Sequence, residues 1–221
     1  MILTNRLFTR KAPTRDAKSI YIFCEGAKRE YQYFDYFKEI DSRINIEIYQ
    51  LSPLENNSPL GLYNIAHRCI IKSEENPNPK FEFLKNDQVW IVLDTDLDKL
   101  DSRKPQIEKL RTDCKKHSDW FVAQSNPCFE VWLYNHFFDQ KPFGQDLANS
   151  KLWKEILNET IPGGFNSKKH PIYIEKAISN SQIDFNEIDE MPAVACTQVF
   201  KLAKVIYPLI EEKIKTVLTQ L

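Results

Sequence analysis

Residues 88–96, Gln-Val-Trp-Ile-Val-Leu-Asp-Thr-Asp, form the stretch of sequence that decides the fold. The first six are a short and almost uninterrupted apolar run, which predicts a strand that is buried on both faces. The run stops at Asp94, and Asp96 follows two residues later. Buried strands of this kind belong to parallel sheets covered by helices. The stretch therefore predicts a central strand with two acidic residues at its carboxyl end.

Strands and helices alternate on both sides of that stretch. Apolar and β-branched runs predict further strands over residues 19–24, 44–51 and 120–123. Apolar residues at helical spacing predict helices over residues 29–40, 59–72 and 104–116, and a fourth helix that opens at residues 125–127 and reaches 138. This alternation over residues 19–138 favours an α/β class with a mainly parallel sheet.

The ends of the chain differ from this α/β core, which we place at residues 19–142. Residues 1–18 carry Arg6, Arg10, Lys11, Arg15 and Lys18 and are interpreted as a basic arm or lead-in. Residues 143–221 show helical patterns at 152–158, 172–179 and 197–221, which predict a helical extension of the same globule. The apolar stripe over 200–221 is most simply a core contact, and alternatively it docks a partner or a second copy of the chain.

Composition excludes several classes of function. The 30 Lys and Arg residues against 31 Asp and Glu residues argue against a uniformly basic coat for nucleic acid, though not against local patches. No three of the 5 glycines lie close together, so the glycine loops that cradle nucleotide phosphates are absent. The 5 cysteines form no CxxC pair, which predicts free buried thiols. Without a signal sequence or a long apolar run, we expect a cytoplasmic protein with no membrane partner.

Acidic residues follow two of the predicted strands. Glu25-Gly26 ends the first strand, and Asp94, Asp96 and Asp98 follow the third. The carboxyl ends of parallel strands meet at one edge, and residues i and i+2 of an extended segment point the same way. Converging carboxylates repel one another unless a cation neutralises them, and Mg²⁺ is held by one or two carboxylates together with phosphate. An Asp-x-Asp sequence after a strand is also common in turns. The metal site is therefore predicted from the combination of Glu25 after the first strand with Asp94 and Asp96 after the third.

Other candidates surround these carboxylates. Glu30, Asn126 and Glu130 are candidates for a second metal site or for supporting contacts. Glu130 could instead be a carboxylate favoured by a helix dipole, and Asn126 could be an N-cap. The candidates for nucleic-acid binding are Lys28, Arg10, Arg15 and Lys168, whereas Arg29 is interpreted as surface charge.

Three motifs resemble one known family. They are Ile-Phe-Cys-Glu25-Gly26 followed by Glu30 and Tyr33-Phe34, then Val-Trp-Ile-Val-Leu-Asp94-Thr-Asp96, and then Ser125-Asn-Pro-Cys-Phe-Glu130-Val-Trp-Leu133. A Glu-Gly strand end followed by an Asp-x-Asp strand end resembles the Toprim pattern of topoisomerases, primases and OLD-type nucleases. Together the motifs resemble the RloB-like proteins, well over residues 10–140 and loosely beyond them.

This resemblance implies a Toprim-like fold with a four-stranded, mainly parallel sheet flanked by helices. It implies a nuclease dependent on Mg²⁺ or Mn²⁺ that acts on DNA or RNA, in bacterial anti-phage defence or abortive infection, with an ABC- or AAA-type ATPase as partner. In Toprim nucleases the glutamate is a metal ligand or a general acid and base, so Glu25 receives both roles beside Asp94 and Asp96. The alternative is a non-catalytic subunit that binds nucleic acid or an ATPase, and a homo-oligomer is compatible with either.

Overall fold

The computed structural model describes residues 8–26 and 28–220. Seven α-helices, two short 3₁₀ helices (Leu97–Lys99 and His170–Tyr173) and seven strands form its regular structure over these residues. The strands are β1 (Lys18–Cys24), β2 (Ile44–Tyr49), β3 (Gln88–Asp94), β4 (Trp120–Asn126), β5 (Glu187–Ile188), β6 (Met191–Pro192) and β7 (Cys196–Thr197). The helices are α1 (Arg29–Asp35), α2 (Pro59–Ile70), α3 (Leu100–Cys114), α4 (Glu130–Tyr134), α5 (Ser150–Thr160), α6 (Ile174–Ile183) and α7 (Val199–Leu218).

A five-stranded sheet with the order β2-β1-β3-β4-β7 forms the centre. The first four strands in this order pair in parallel, and β7 joins β4 antiparallel through Ser125 and Thr197. The α/β class and the Toprim-like fold expected from the sequence are therefore confirmed. The sheet is one strand wider than expected, because two residues of the C-terminal region add an edge strand.

Both faces of the sheet are buried, as the apolar runs of its strands predict. Ile20 and Ile22 of β1 point to a core formed with α1, α4, α5, α6 and α7. Tyr21 and Phe23 point to a second core formed with α2 and α3. Successive strand residues thus point to opposite layers, which explains why β1 is apolar throughout from Ile20 to Cys24. The helix after β1 and the helix after β3 consequently lie on opposite faces.

The predicted helix boundaries differ from the observed ones around the strand ends. The helix expected to open at residues 125–127 begins at Glu130, because β4 continues to Asn126. Asn126 is therefore not an N-cap. The helix expected over 29–40 ends at Asp35, and turns follow it. The short hairpin of β5 and β6 was not predicted, since strands of two residues leave no periodic pattern.

The described part of the N-terminal arm runs beside the turn that precedes β2. The backbone N–H of Lys11 donates to the carbonyl of Glu39 over 2.7 Å, and that of Thr14 donates to the carbonyl of Ser42 over 2.9 Å. Arg6 lies outside the described residues. None of the helices in the described ranges combines the length and apolarity that crossing a bilayer requires.

Candidate active site

The candidate site lies between β1 and β3, which are neighbours in the sheet. The chain leaves β1 toward the face that carries α1 and leaves β3 toward the face that carries α3. Such a switch point leaves a crevice at the carboxyl ends of the strands, where α/β proteins place their chemistry. A cleft of about 350 Å³ opens there. Its lining comes from both strand ends and from α1, α4 and α5: Gly26, Arg29, Glu30, Asp94, Asp96, Cys128, Phe129, Glu130, Ser150 and Lys154.

Glu25 is held at this edge by an arginine that lies 78 residues further along the chain. Arg103 of α3 donates from Nη1 to Glu25 Oε1 over 2.9 Å and from Nη2 to Oε2 over 2.6 Å. The backbone N–H of Asp94 also donates to Glu25 Oε2, over 3.2 Å. Burial raises the pKa of Glu25, while the hydrogen bonds and charge of Arg103 oppose that rise.

Asp94 and Asp96 are fixed by the residue between them. Thr95 is fully buried, and both its N–H and its hydroxyl donate to the carbonyl of Ser125, over 2.8 and 2.9 Å. Asp96 adopts a left-handed backbone with φ of 49°, a conformation that Asp tolerates better than most residues. The segment is therefore not extended through Asp96, contrary to the geometry assumed from spacing. Both aspartates nevertheless line the cleft.

Glu30 and Glu130 complete the acidic lining. The Glu30 carboxyl lies against Gly26 so closely that a Cβ there would come within 1.9 Å of Oε2. The glycine after β1 thus provides room for this side chain. Glu130 begins α4, and its Oε1 accepts from Arg29 Nη1 over 2.6 Å. Arg29 is an exposed residue, 45% accessible at its side chain, that lines the cleft and pairs with Glu130.

The carboxylates raise one another's pKa values. Burial raises the pKa of Glu30 to about 7, and Glu130 and Glu25 add to that rise. Burial also raises the pKa of Asp94 well above its ordinary value, and the charge of Glu30 adds to the effect, followed by those of Glu25, Glu130 and Asp96. An uncompensated cluster of acids has this signature, because each negative charge disfavours the next. Arg103 pairs with Glu25 and Arg29 pairs with Glu130, but within the described residues no lysine or arginine lies at ion-pair distance from Glu30 or Asp94. A bound cation would supply positive charge at those two carboxyl groups.

The carboxylates are the right type of ligand for a hard divalent cation, but they do not surround it. All the side chains concerned are carboxylates, the ligand type that Mg²⁺ and Mn²⁺ prefer. Within residues 8–26 and 28–220, no three Asp, Glu, His or Cys side chains stand close enough to hold a metal ion among themselves. A cation held by one or two carboxylates, with water and phosphate as the other ligands, fits this arrangement. A closed cage of protein ligands does not.

Three of the candidate ligands lie apart from this lining. Glu25 lies beside it, where Arg103 and the backbone N–H of Asp94 hold its carboxylate. Asp98 is exposed and lines a neighbouring cavity with Asp146, Asn149 and Lys151. Asn126 is buried in β4, where its Nδ2 donates to the carbonyl of Pro192 over 2.7 Å.

The candidate cations for nucleic acid fall into three places. Lys28 is exposed at the start of α1, beside the cleft. Arg10 and Lys168 come together in a second cavity, where Arg10 also lies 3.2 Å from Glu39. Arg15 lines a third cavity together with Ser19, at the amino end of β1. The seven residues of β1 span about 20 Å between that end and Glu25. The structure thus separates Arg15 from the cleft.

Sequence reasoning missed two residues that shape the site. Arg103 is the partner of Glu25, and its side chain is only 10% exposed. A single arginine just before the helix predicted over residues 104–116 gives no signal of its own. Lys154 lines the cleft from α5, in the region interpreted only as a helical extension. Within the described ranges its ammonium has no carboxylate partner at ion-pair distance. The sequence around Lys154 predicts a helix, but it does not indicate that this helix lies near the carboxyl ends of the strands.

The fold and its site together define a class of protein. A mostly parallel sheet with carboxylates at the switch point is that of a Toprim-like α/β protein. The family model described as RloB-like protein matches residues 20–206, which is most of the chain. The chain therefore belongs to the RloB-like protein family. The match confirms the resemblance and extends it beyond residue 140. No curated protein and no solved structure matches the chain.

Proposed function

We propose that this protein is a Mg²⁺- or Mn²⁺-dependent nuclease of Toprim type that cleaves phosphodiester bonds of DNA or RNA. One observation carries the proposal. Glu30, Asp94 and Glu130 converge from three different elements on a cleft at the switch point, and burial together with the charges of Glu30 and Glu130 raises the pKa of Asp94. Glu130 is paired with Arg29, but within the described residues Glu30 and Asp94 have no cationic partner. Buried carboxyl groups without a cation are typical of a functional site that binds a cation and substrate.

The residues then take the following roles. Asp94 and Asp96 would hold the cation, and Glu25 would face it from the end of β1. Glu30 and Glu130 would serve a second cation, if two are bound. When bound, the cation polarises the phosphoryl oxygen and lowers the pKa of a coordinated water. Lys28, Arg29 and Lys154 offer positive charge at the rim, where the phosphates that flank the scissile bond would lie.

The biological setting is proposed from the family resemblance alone. It comprises anti-phage defence, an ATPase of ABC or AAA type as the activating partner, and a cytoplasmic location.

A second function is favoured by one observation. Both oxygens of Glu25 are taken by Arg103. In a non-catalytic Toprim-like subunit, a fixed cation in that position would replace the metal. The protein would then bind nucleic acid or an ATPase without cleaving a phosphodiester.

Cleavage and metal binding separate the two functions. Wild type, Glu25→Ala and Asp94→Ala are compared on labelled DNA and RNA with Mg²⁺ and with Mn²⁺, and Mn²⁺ binding is followed by calorimetry. We expect cleavage by wild type, a loss of at least 100-fold in both variants, and weaker Mn²⁺ binding in Asp94→Ala. Mn²⁺-independent nucleic-acid binding without cleavage would favour the regulatory subunit. Equal cleavage by all three proteins would exclude the assigned residues.

A further inference from the structure

The contact between Arg103 and Glu25 is unusual for a carboxylate with a proposed role in catalysis. The two side chains are 10% and 14% exposed, so the pair is largely buried beside the cleft, at the carboxyl end of β1. The two donor distances of 2.9 and 2.6 Å describe a bidentate fork, the strongest arrangement of arginine with a carboxylate. Such a fork fixes the orientation of the carboxylate as well as its charge.

The same guanidinium also holds the end of β3. Its Nη2 donates to the backbone carbonyl of Asp94 over 2.9 Å, and its Nη1 lies 3.8 Å from Oδ2 of Asp96. Arg103 therefore joins the ends of the two strands that form the switch point. Its position depends on α3, which begins only six residues after Asp94. Arg103 thus adds a side-chain link between Glu25 and the Asp94–Asp96 segment to the backbone pairing of β1 with β3.

Counting lone pairs limits what Glu25 can do. An ionised carboxylate offers about four acceptor sites. Arg103 takes two of them, and the backbone N–H of Asp94 takes a third. One site remains, on Oε1, and this is the site available to a metal ion. A carboxylate that is engaged in this way can accept one further bond in a fixed direction, but it cannot readily turn to collect a proton from water and deliver it elsewhere.

We propose that Arg103 is a positioning residue that fixes Glu25 as a single-oxygen metal ligand and removes it from general acid and base chemistry. This inference rests on the proposed nuclease function and narrows the mixed role of Glu25 to one. Proton transfer then falls to water or to another carboxylate of the cleft. Arg103 acts only through Glu25 and the Asp94 backbone and does not itself touch the substrate.

The test is a double-mutant cycle on Mn²⁺ affinity in the full chain. Arg103→Met, Glu25→Gln and the double variant are titrated with Mn²⁺ by electron paramagnetic resonance. We expect Arg103→Met to weaken Mn²⁺ binding at least tenfold in the wild-type background and less than twofold in the Glu25→Gln background. Arg103→Lys keeps the charge without the fork and should fall between wild type and Arg103→Met. An equal loss from Arg103→Met in both backgrounds would overturn the proposal.

Arg111→Met is the matched control. Arg111 lies on the same helix, and its Nη2 donates to Gln124 and Gln198 over 2.8 and 2.9 Å, away from the cleft lining. It should lose stability without any change in Mn²⁺ affinity. Should Arg103→Met not fold, nitrogen-15 spectra of the arginine side chains in metal-free wild type and Glu25→Gln serve instead. The proposal is supported if rotation of the Arg103 Nη groups is restricted in wild type and becomes free in Glu25→Gln. Free rotation in wild type contradicts it.

These outcomes are distinct from failure of the nuclease proposal. If wild type binds Mn²⁺ and cleaves, but Arg103→Met leaves both unchanged, only the role of Arg103 is lost. If wild type neither binds Mn²⁺ nor cleaves any substrate, the nuclease proposal is lost, and the ligand role of Glu25 fails with it.

Discussion

At the scale of single residues, the site is defined by carboxylates whose burial opposes their ionisation. Glu30 illustrates this cost, because it is only 8% exposed and its carboxyl lies against Gly26. A charge at such a position lowers stability unless something neutralises it. The fold therefore accepts a destabilising group at the place where a cation is proposed to bind, which is common at functional sites.

The pH dependence of stability tests this view. The folded-state pKa of Glu30 is about 7, above its ordinary value of 4.5. The folded protein holds the proton of Glu30 more tightly than the unfolded chain does. Protonated Glu30 therefore makes its full contribution to the free energy of unfolding below pH 4.5, and this contribution is lost as the pH rises through about 7. Glu30→Gln mimics the protonated form. It should match wild type in acid and exceed its free energy of unfolding by roughly 2 kcal/mol at about pH 8, as measured by urea denaturation.

A surface glutamate provides the control for that comparison. Glu74 is exposed, and Glu74→Gln should leave the free energy of unfolding unchanged at both pH values. Saturating Mn²⁺ at the higher pH should stabilise wild type more than Glu30→Gln, since the cation removes the repulsion that the substitution has already removed. A Glu30→Gln variant less stable than wild type at about pH 8 contradicts the assignment of a raised pKa.

At the scale of elements, α5 connects the C-terminal region to the site. Its N-cap Asn149 accepts from the backbone N–H groups of Lys151 and Leu152, which fixes the start of the helix. Trp153, Ile156 and Leu157 face the core, so Lys154 points from the opposite side into the cleft lining. The amphipathic pattern of this helix thus determines which of its lysines lines the cleft.

Removing that lysine should weaken binding of nucleic acid. We expect Lys154→Ala to raise the Kd for a labelled oligonucleotide about three- to tenfold and to lower the slope of log K against log salt by about one. Lys72→Ala is the control, because Lys72 is equally exposed but follows the carboxyl end of α2, away from the cleft. Fluorescence anisotropy at several salt concentrations measures both. An unchanged slope in Lys154→Ala would exclude Lys154 from the interface.

The strands of the sheet differ in how far the sequence could predict them. The buried runs of β1 and β3 and the acidic residues behind them were sufficient to predict the sheet and the edge that carries Glu25, Asp94 and Asp96. They were sufficient because each strand is a local pattern and parallel strands share one carboxyl edge. Arg103 and the two-residue strand β7 were missed, because a long-range ion pair and a single ladder of two residues leave no periodicity in the chain.

At the scale of the whole molecule, the near-zero formal charge of −1 conceals a local asymmetry. Carboxylates concentrate in the cleft between β1 and β3. Lysines and arginines stand at its rim and in the cavity that holds Arg10 and Lys168. A polyanion such as nucleic acid would contact the basic groups first. Its phosphates would reach the carboxylates of the cleft only where a bound cation lies between the two.

The whole molecule also depends on its C-terminal third for stability. Leu202, Ile206, Ile210 and Ile214 of α7 are each 0% exposed and belong to the same core as Ile20 and Ile22 of β1. Each such side chain contributes about 2 kcal/mol by burial. Their sum is comparable to the roughly 5–15 kcal/mol that holds a typical domain together. The α/β core of residues 19–142 therefore lacks one wall when α7 is absent.

A fragment ending at residue 142 should consequently fail to fold, although it contains β1 to β4 and every acidic residue of the cleft. We expect it to bind a hydrophobic dye and to show no cooperative thermal transition by circular dichroism, whereas the full chain melts in a single step. Coexpression with residues 143–221 should restore the transition, because the exposed linker that is cut carries no helix or strand. A fragment that melts cooperatively at the temperature of the full chain would show that α7 and β7 are dispensable. In that case the cleft would belong to a unit that folds on its own, and Lys154 would contribute to substrate binding from a separate part of the chain.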